Sequence, residues 1–278
     1  MNKKDYDMGP ERAQVTLNDL AREQGEEKFW AEHAALYDKV AALEKHYTTY
    51  QVEAMDLRPT DTVLDLGCGV GRLCIPIARR VKEVIAVDIS SDMLACAQRN
   101  AKAAGLNNIT FRQCDFGEAG VLEGLPKTDI TVCSRIPFLS FIRPVSERTK
   151  RMVYVTGFAN APNLMQVKND FFWGVPGNPQ RQFSLDRMQG YNVFFNAVYE
   201  AGYDASVILL PDGFRADYPS VEACLEDLAT LGNVPEGAWH TFESNITPFL
   251  KKTEKGVRFE RKTESFLLYW ATQPTLNV

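Results

Sequence analysis

Apolar residues recur along the chain with two different periods, and the change from one to the other marks the architecture. Phe29, Trp30, His33, Leu36, Tyr37, Val40 and Leu43 fall at helical spacings and predict an amphipathic helix. A second short helix is predicted over 46–57, and the turn Arg58-Pro59-Thr60-Asp61 closes it. Short β-branched runs then begin to alternate with helical segments. Strands are predicted at Thr62–Leu66, Val84–Val87, Ile109–Cys114, Ile130–Cys133, Val153–Thr156 and Ala205–Leu210. Helices are predicted at Arg72–Arg80, from Ser90 or Ser91 as N-cap to Gly105, and at Leu185–Ala201. This alternation is the signature of a parallel sheet with crossover helices. Residues 116–129 leave room for little more than a turn. Residues 159–183, with Trp173, Gly174, Pro176, Gly177 and Pro179, read as an aromatic loop, and residues 219–231 and 236–252 read as helices. Val257–Thr272 reads as a closing hairpin with a strongly apolar second half, and residues 1 to about 15 as a polar, frayed end.

The stretch VLDLGCGVG, Val63–Gly71, carries the chemistry. Glycines at the end of a first strand permit a tight turn and a close approach of backbone to ligand, and the following helix turns free N–H groups toward it. The glycines stand at 67, 69 and 71, while the dinucleotide pattern G-x-G-x-x-G would need glycine where Arg72 stands. Asp65 precedes the loop. Its charge would repel a pyrophosphate but suit a ligand bearing ammonium and sulfonium groups. Asp88 ends the second strand and can accept from both hydroxyls of a ribose. Asp115 follows the third strand, placed to accept from an adenine amino group, with Phe116 or Ile89 flanking the ring.

These residues, in order at successive strand ends, resemble the class I, Rossmann-like S-adenosylmethionine-dependent methyltransferases. The likeness covers about residues 45–160, with looser agreement through 211. It implies an α/β fold with a seven-stranded, mostly parallel sheet, helices on both faces, and an antiparallel last strand that the terminal hairpin could supply. N-terminal helices and a helical insertion before the last strand complete it. It also implies S-adenosylmethionine as cofactor and S-adenosylhomocysteine as product. Asp65, Gly67, Cys68, Gly69 and Gly71 would hold the methionine portion and Asp88 the ribose. Ile89, Asp115 and Phe116 would surround the adenine, and Ser134 would lie near the transferred methyl. Residues 1–57 are expected to form a helical segment over the site and 58–278 the cofactor-binding domain, with 159–183 and 219–252 capping the acceptor.

The net charge of −5 and pI of about 5.4 shift the expected acceptor toward a small molecule and away from nucleic acid. Cys133-Ser134-Arg135-Ile136-Pro137-Phe138 stands where base methyltransferases typically carry N-P-P-Y or D-P-P-Y, which points the same way. The 6 cysteines form no C-x-x-C pair and no zinc spacing, so free thiols, no metal and a cytoplasmic setting are expected. No apolar run reaches the ~20 residues of a membrane span. Methyl transfer from a sulfonium needs alignment more than a fixed catalytic motif. His46 and Tyr47 are candidate bases, though either could equally pack or face solvent. Arg135 is a candidate anion contact or a surface ion pair. Tyr37, Phe138, Trp173, Tyr191 and Asn192 could wall the acceptor pocket. A non-catalytic cofactor-binding partner, an NAD-dependent oxidoreductase and an aminopropyl transferase are the competing readings. The last is disfavoured because Ser134 and Arg135 replace the acidic pair it needs.

Overall fold

The computed structural model describes residues 25–118, 120–136, 138–159, 164–178 and 190–272. The expected frayed start, Pro179 and the first residues of the helix predicted from Leu185 lie outside the described residues. The chain begins with one continuous helix, α1 (Glu26–Glu53), where two were expected. Nothing between Leu43 and His46 breaks a helix, since Glu44 and Lys45 are both good helix formers.

The alternating region follows as β1 (Thr62–Leu66), α2 (Cys74–Ala78), β2 (Glu83–Asp88), α3 (Ser91–Ala103), β3 (Ile109–Gln113), α4 (Val121–Gly124), β4 (Thr128–Ser134), α5 (Ile142–Arg148) and β5 (Thr149–Phe158). Ser90 is the cap of α3, its hydroxyl accepting from the Met93 N–H at 3.3 Å. The foreshortened segment before β4 holds only the single turn of α4. Next come α6 (Leu164–Phe171), inside the stretch read as a loop, then α7 (Tyr191–Glu200) and β6 (Ala205–Tyr218). The chain ends with α8 (Val221–Ala229), α9 (Trp239–Ile246), β7 (Leu250–Thr253) and β8 (Gly256–Ala271). Pro248 cuts short the helix expected to reach residue 252, and the turn at Gly256 folds β7 onto β8. β8 is therefore one long strand rather than a hairpin.

The strands form an eight-stranded sheet in the order β3-β2-β1-β4-β5-β8-β6, with β7 beside β8. β1 to β5 are parallel, and β8 runs antiparallel between β5 and β6. The expected Rossmann-like α/β fold is thus present, with one strand more than expected. β1 is flanked by β2 and β4 and is buried at four of five positions, which explains why it reads as an unbroken apolar run.

One apolar cluster fills each face of the sheet. The first joins Leu66, Val87, Phe138, Val198 and Trp270, and the second joins Val63, Ile77, Val84, Leu94 and Leu267. A third stands apart from both. There the far halves of β6 and β8 meet α1, α6, α8 and α9 around Phe172, Phe214, Phe242 and Phe259. Among the described residues no helix is long and apolar enough to cross a membrane.

Candidate cofactor and methyl-transfer site

In the strand order, the chain leaves β1 toward β2 on one side and reaches β4 on the other. A crevice therefore opens at the carboxyl ends of β1 and β4, where α/β sheets bind their ligands. The glycine loop lies there. Gly67, Gly69 and Gly71 all have positive φ, at 70°, 53° and 93°. The Gly67 and Cys68 N–H groups both donate to the Val87 carbonyl at 2.9 Å, which curls the loop back over β2. A Cβ on Gly67 would meet the Ile136 side chain at 2.6 Å, whereas one on Gly69 would meet nothing within 4 Å. Gly69 is thus the point where the loop presents bare backbone to open space.

Asp88 fixes that point. Its Oδ2 accepts from the Gly69 N–H at 2.8 Å and its Oδ1 from the Ser90 N–H at 3.0 Å. Each oxygen retains a lone pair for a further donor. Burial raises the Asp88 pKa, and the backbone N–H groups around it partly offset that shift. The carbonyl of Ile89 accepts from Gln113 at 3.0 Å, which ties the end of β2 to the end of β3. Asp115 spends Oδ1 on the Gly117 N–H at 2.8 Å. Phe116 meets Phe141 edge-on at 5.5 Å, and its Cζ would lie 3.8 Å from a Cβ on Gly67. The structure therefore brings Gly67, Gly69, Asp88, Ile89 and Phe116 around one opening.

Asp65 is 1% exposed, and neither carboxylate oxygen has a hydrogen-bond partner. Burial pushes its pKa up to about 7, with the Arg72 charge acting the other way. The Cys74 N–H favours the charged form only slightly and makes no hydrogen bond of ordinary geometry. An unpaired buried acid beside a glycine whose missing side chain faces open space fits a ligand carrying an ammonium group. By that test the residues fit S-adenosylmethionine.

Ser134 ends β4 and accepts from Arg72 Nη2 at 2.6 Å. Arg72 Nη1 donates to Gln51 Oε1 at 2.9 Å and to Thr48 Oγ1 at 3.4 Å, both on α1. Arg135 has the one positive φ, 58°, among described non-glycine residues. Its guanidinium lies 3.9 Å from the centre of the Phe158 ring, and it donates to Glu44 Oε1 at 2.7 Å and Asp212 Oδ2 at 3.3 Å. Both carboxylates are 1% exposed. Arg135 is thus neither a surface ion pair nor open to an incoming anion, because its donors already face two buried acids. Tyr37 lies in the field of the same charges, and burial pushes its pKa up to about 12.

The other predicted residues fall elsewhere. His46 is exposed on α1, its Nε2 3.1 Å from Arg215 Nη1. The Tyr47 hydroxyl is buried and donates to Glu260 Oε1 at 2.9 Å. Burial and that carboxylate both push its pKa upward, against loss of its proton. Neither makes a hydrogen bond or ion pair with the loop, Asp88 or Ser134 among the described contacts. Phe138 is core rather than pocket wall, wholly buried 5.9 Å from Trp270. Trp173 is exposed on the third cluster's surface, and Tyr191 packs on Phe266. Glu44, Gln51 and Asp212 were not singled out from the sequence. The spacing of Glu44, Thr48 and Gln51 along one stripe of α1 was the available signal, but a polar stripe on a helix ordinarily faces solvent.

Fold and loop together define the class: a Rossmann-like, class I methyltransferase domain, whose cofactor is S-adenosylmethionine. Residues 57–153 match the family described as "Methyltransferase domain". Within that class the chain is similar to the 23S rRNA (uracil(1939)-C(5))-methyltransferase RlmD of Photobacterium angustum, at 47% identity over 64 residues. That match covers 23% of this chain and 29% of the relative. The RlmD of Xanthomonas campestris is 31% identical over 129 residues, covering 42% of this chain and 27% of the relative. The chain thus spans less than a third of either relative. Among solved structures it resembles the YcgJ protein of Bacillus subtilis, with a TM-score of 0.51 at 14% identity, covering 82% of this chain and 99% of that one. These relatives overturn the expectation of a small-molecule acceptor with nucleic acid excluded, since both are named for methylating uracil in 23S rRNA. Net charge was a poor guide, because it sums over the whole surface. The field in one crevice is set by its own groups, here including Arg72 and Arg135.

Proposed function

We propose that this chain transfers a methyl group from S-adenosylmethionine to an acceptor that approaches over Ser134, between the carboxyl ends of β1 and β4. The unpaired, buried carboxylate of Asp65 beside the open face of Gly69 carries this reading. The cofactor supplies a methyl group already activated on a sulfonium, so the protein's task is alignment and exclusion of water. Asp88 holds the loop through Gly69 and has lone pairs left for ribose hydroxyls. Phe116 and Ile89 offer apolar surface for a planar ring beside it. α1 closes the crevice through Glu44, Thr48 and Gln51, while residues 164–175 and 221–246 form a cap farther along β6 and β8. A general base is not required where the acceptor atom is itself nucleophilic, so no catalytic role is assigned to His46 or Tyr47.

RNA as the acceptor is the reading the relatives favour, since their printed activity is on 23S rRNA. The test has two arms. Calorimetric titration with S-adenosylhomocysteine and with NAD reads the cofactor, using Asp88→Ala as control. Micromolar binding of the first, lost in the variant, is expected, and binding of NAD alone would sink the proposal. Transfer of tritiated methyl to an unmodified 23S rRNA transcript reads the acceptor. Absence of label there, with cofactor binding intact, would remove RNA and leave the rest standing.

A further inference from the structure

Two oppositely charged groups are buried in the crevice and do not pair with each other. Asp65 has no hydrogen bond at all. Arg72 has an 11% exposed side chain, and its hydrogen bonds all go to neutral oxygens of Gln51, Thr48 and Ser134. Its single ion pair is loose, Nε to Glu44 Oε2 at 3.8 Å, and makes no hydrogen bond. Glu44 has meanwhile given its other oxygen to Arg135 at 2.7 Å, and Asp212 is also turned to Arg135. Of the two buried arginines, Arg135 is therefore held by two carboxylates, and Arg72 is the one whose charge lacks a close partner. The shortfall is felt in its pKa, which burial and the neighbouring Arg135 push down to about 10.

A buried acid and a buried base that stay unpaired in one crevice present opposite charges to whatever enters between them. The ligand that satisfies both is a zwitterion. We propose that Arg72 and Asp65 form a receptor for the amino-acid end of the cofactor, Arg72 taking its carboxylate and Asp65 its ammonium group. The inference rests on the cofactor reading above and extends it to a residue outside the glycine loop. In taking the carboxylate, Arg72 Nη2 exchanges a neutral hydroxyl for a charged acceptor, and hydrogen bonds to charged groups are roughly twice as strong. Ser134 is then released at the end of β4, where the acceptor approaches. Cofactor binding and the opening of the acceptor side are thereby joined through one side chain.

The test compares ligands that differ only at this end. S-adenosylhomocysteine, its decarboxylated analogue and methylthioadenosine are titrated calorimetrically into the wild-type chain, Arg72→Gln and Arg72→Lys. Wild type is expected to bind the decarboxylated analogue at least about thirtyfold more weakly than S-adenosylhomocysteine, as for loss of one partner of a buried charge pair. Arg72→Gln is expected to remove that difference while leaving methylthioadenosine within twofold, and Arg72→Lys to restore part of it. Equal wild-type affinity for the two larger ligands overturns the proposal without any variant being needed. Parallel weakening of all three ligands in Arg72→Gln also overturns it, since Arg72 would then only shape the loop. Failure of wild type to bind any of them sinks the cofactor reading, and this inference with it.

Discussion

Asp65 gives the site a pH dependence whose sign is fixed by burial. Its pKa rises from 3.8 to about 7 because the charged form has lost water and gained no hydrogen bond. The folded, cofactor-free chain therefore holds a proton there that the unfolded chain releases near pH 4. Below that pH the group carries no penalty; from there to about 7 the penalty grows, and above 7 it is fully present. On this group's account, the cofactor-free protein loses stability as pH rises through that window. Ligand binding runs the other way, because an ammonium group favours the ionised carboxylate. The affinity for S-adenosylhomocysteine is expected to rise by up to about tenfold per pH unit below 7 and to level off above it. Calorimetry across pH checks this, with Asp65→Asn expected to flatten the profile; an unchanged slope in that variant would assign the proton to another group. Asp65 was legible in the sequence because it precedes a glycine loop. Its isolation was not, since hydrogen bonding depends on what the fold packs around it.

At the scale of elements, α1 does more than cover the sheet. Glu44, Thr48 and Gln51 turn a polar stripe inward and meet Arg72 after β1 and Arg135 after β4, so one helix joins both sides of the crevice. Asp212 on β6 completes the cluster and accepts from Ser265 on β8 and from Gln51 at 3.3 Å. Removing the Glu44 charge strands two buried cations. Glu44→Gln is expected to cost about 3–5 kcal/mol, as for breaking other buried ion pairs. In a chain of this size that lowers Tm by roughly 10 °C. His46→Ala, two residues along but exposed, is expected to change stability by no more than about 0.5 kcal/mol. Thermal denaturation of the pair distinguishes a structural latch from a tolerant surface. The strands from β1 to β5 were readable because each is a short apolar run bounded by turn residues. The inward stripe of α1 was not, because a helix's polar face is assigned to solvent unless its partners are known. β8 was misread for a related reason. Its charged half, Arg258 to Glu264, looked like one arm of a hairpin and its apolar half like the other. In the fold the first half pairs with β6 and β7 out in the cap, while the second is buried between β5 and β6.

That strand also organises the whole molecule. β6 and β8 run from the sheet core into the third apolar cluster, so cofactor loop and cap share a two-stranded spine while burying separate sets of side chains. Phe242 is fully buried at the cap's centre, with its ring 5.1 Å from Phe172 and 6.0 Å from Trp239. Phe242→Ala removes a large side chain where α6 and α9 meet, at a cost of about 3–5 kcal/mol. If the cap is its own cooperative unit, amide exchange in that variant rises over residues 164–175 and 221–246 while residues 62–90 keep their protection. Affinity for S-adenosylhomocysteine then stays within twofold of wild type, because none of the residues around Gly69 and Asp88 belongs to that cluster. Methyl transfer falls nonetheless, since the cap is placed to shape the acceptor side. Loss of protection across both regions, with cofactor affinity falling in step, would instead mean that the spine couples cap and crevice into a single folding unit. The acceptor could not then be exchanged by altering the cap alone.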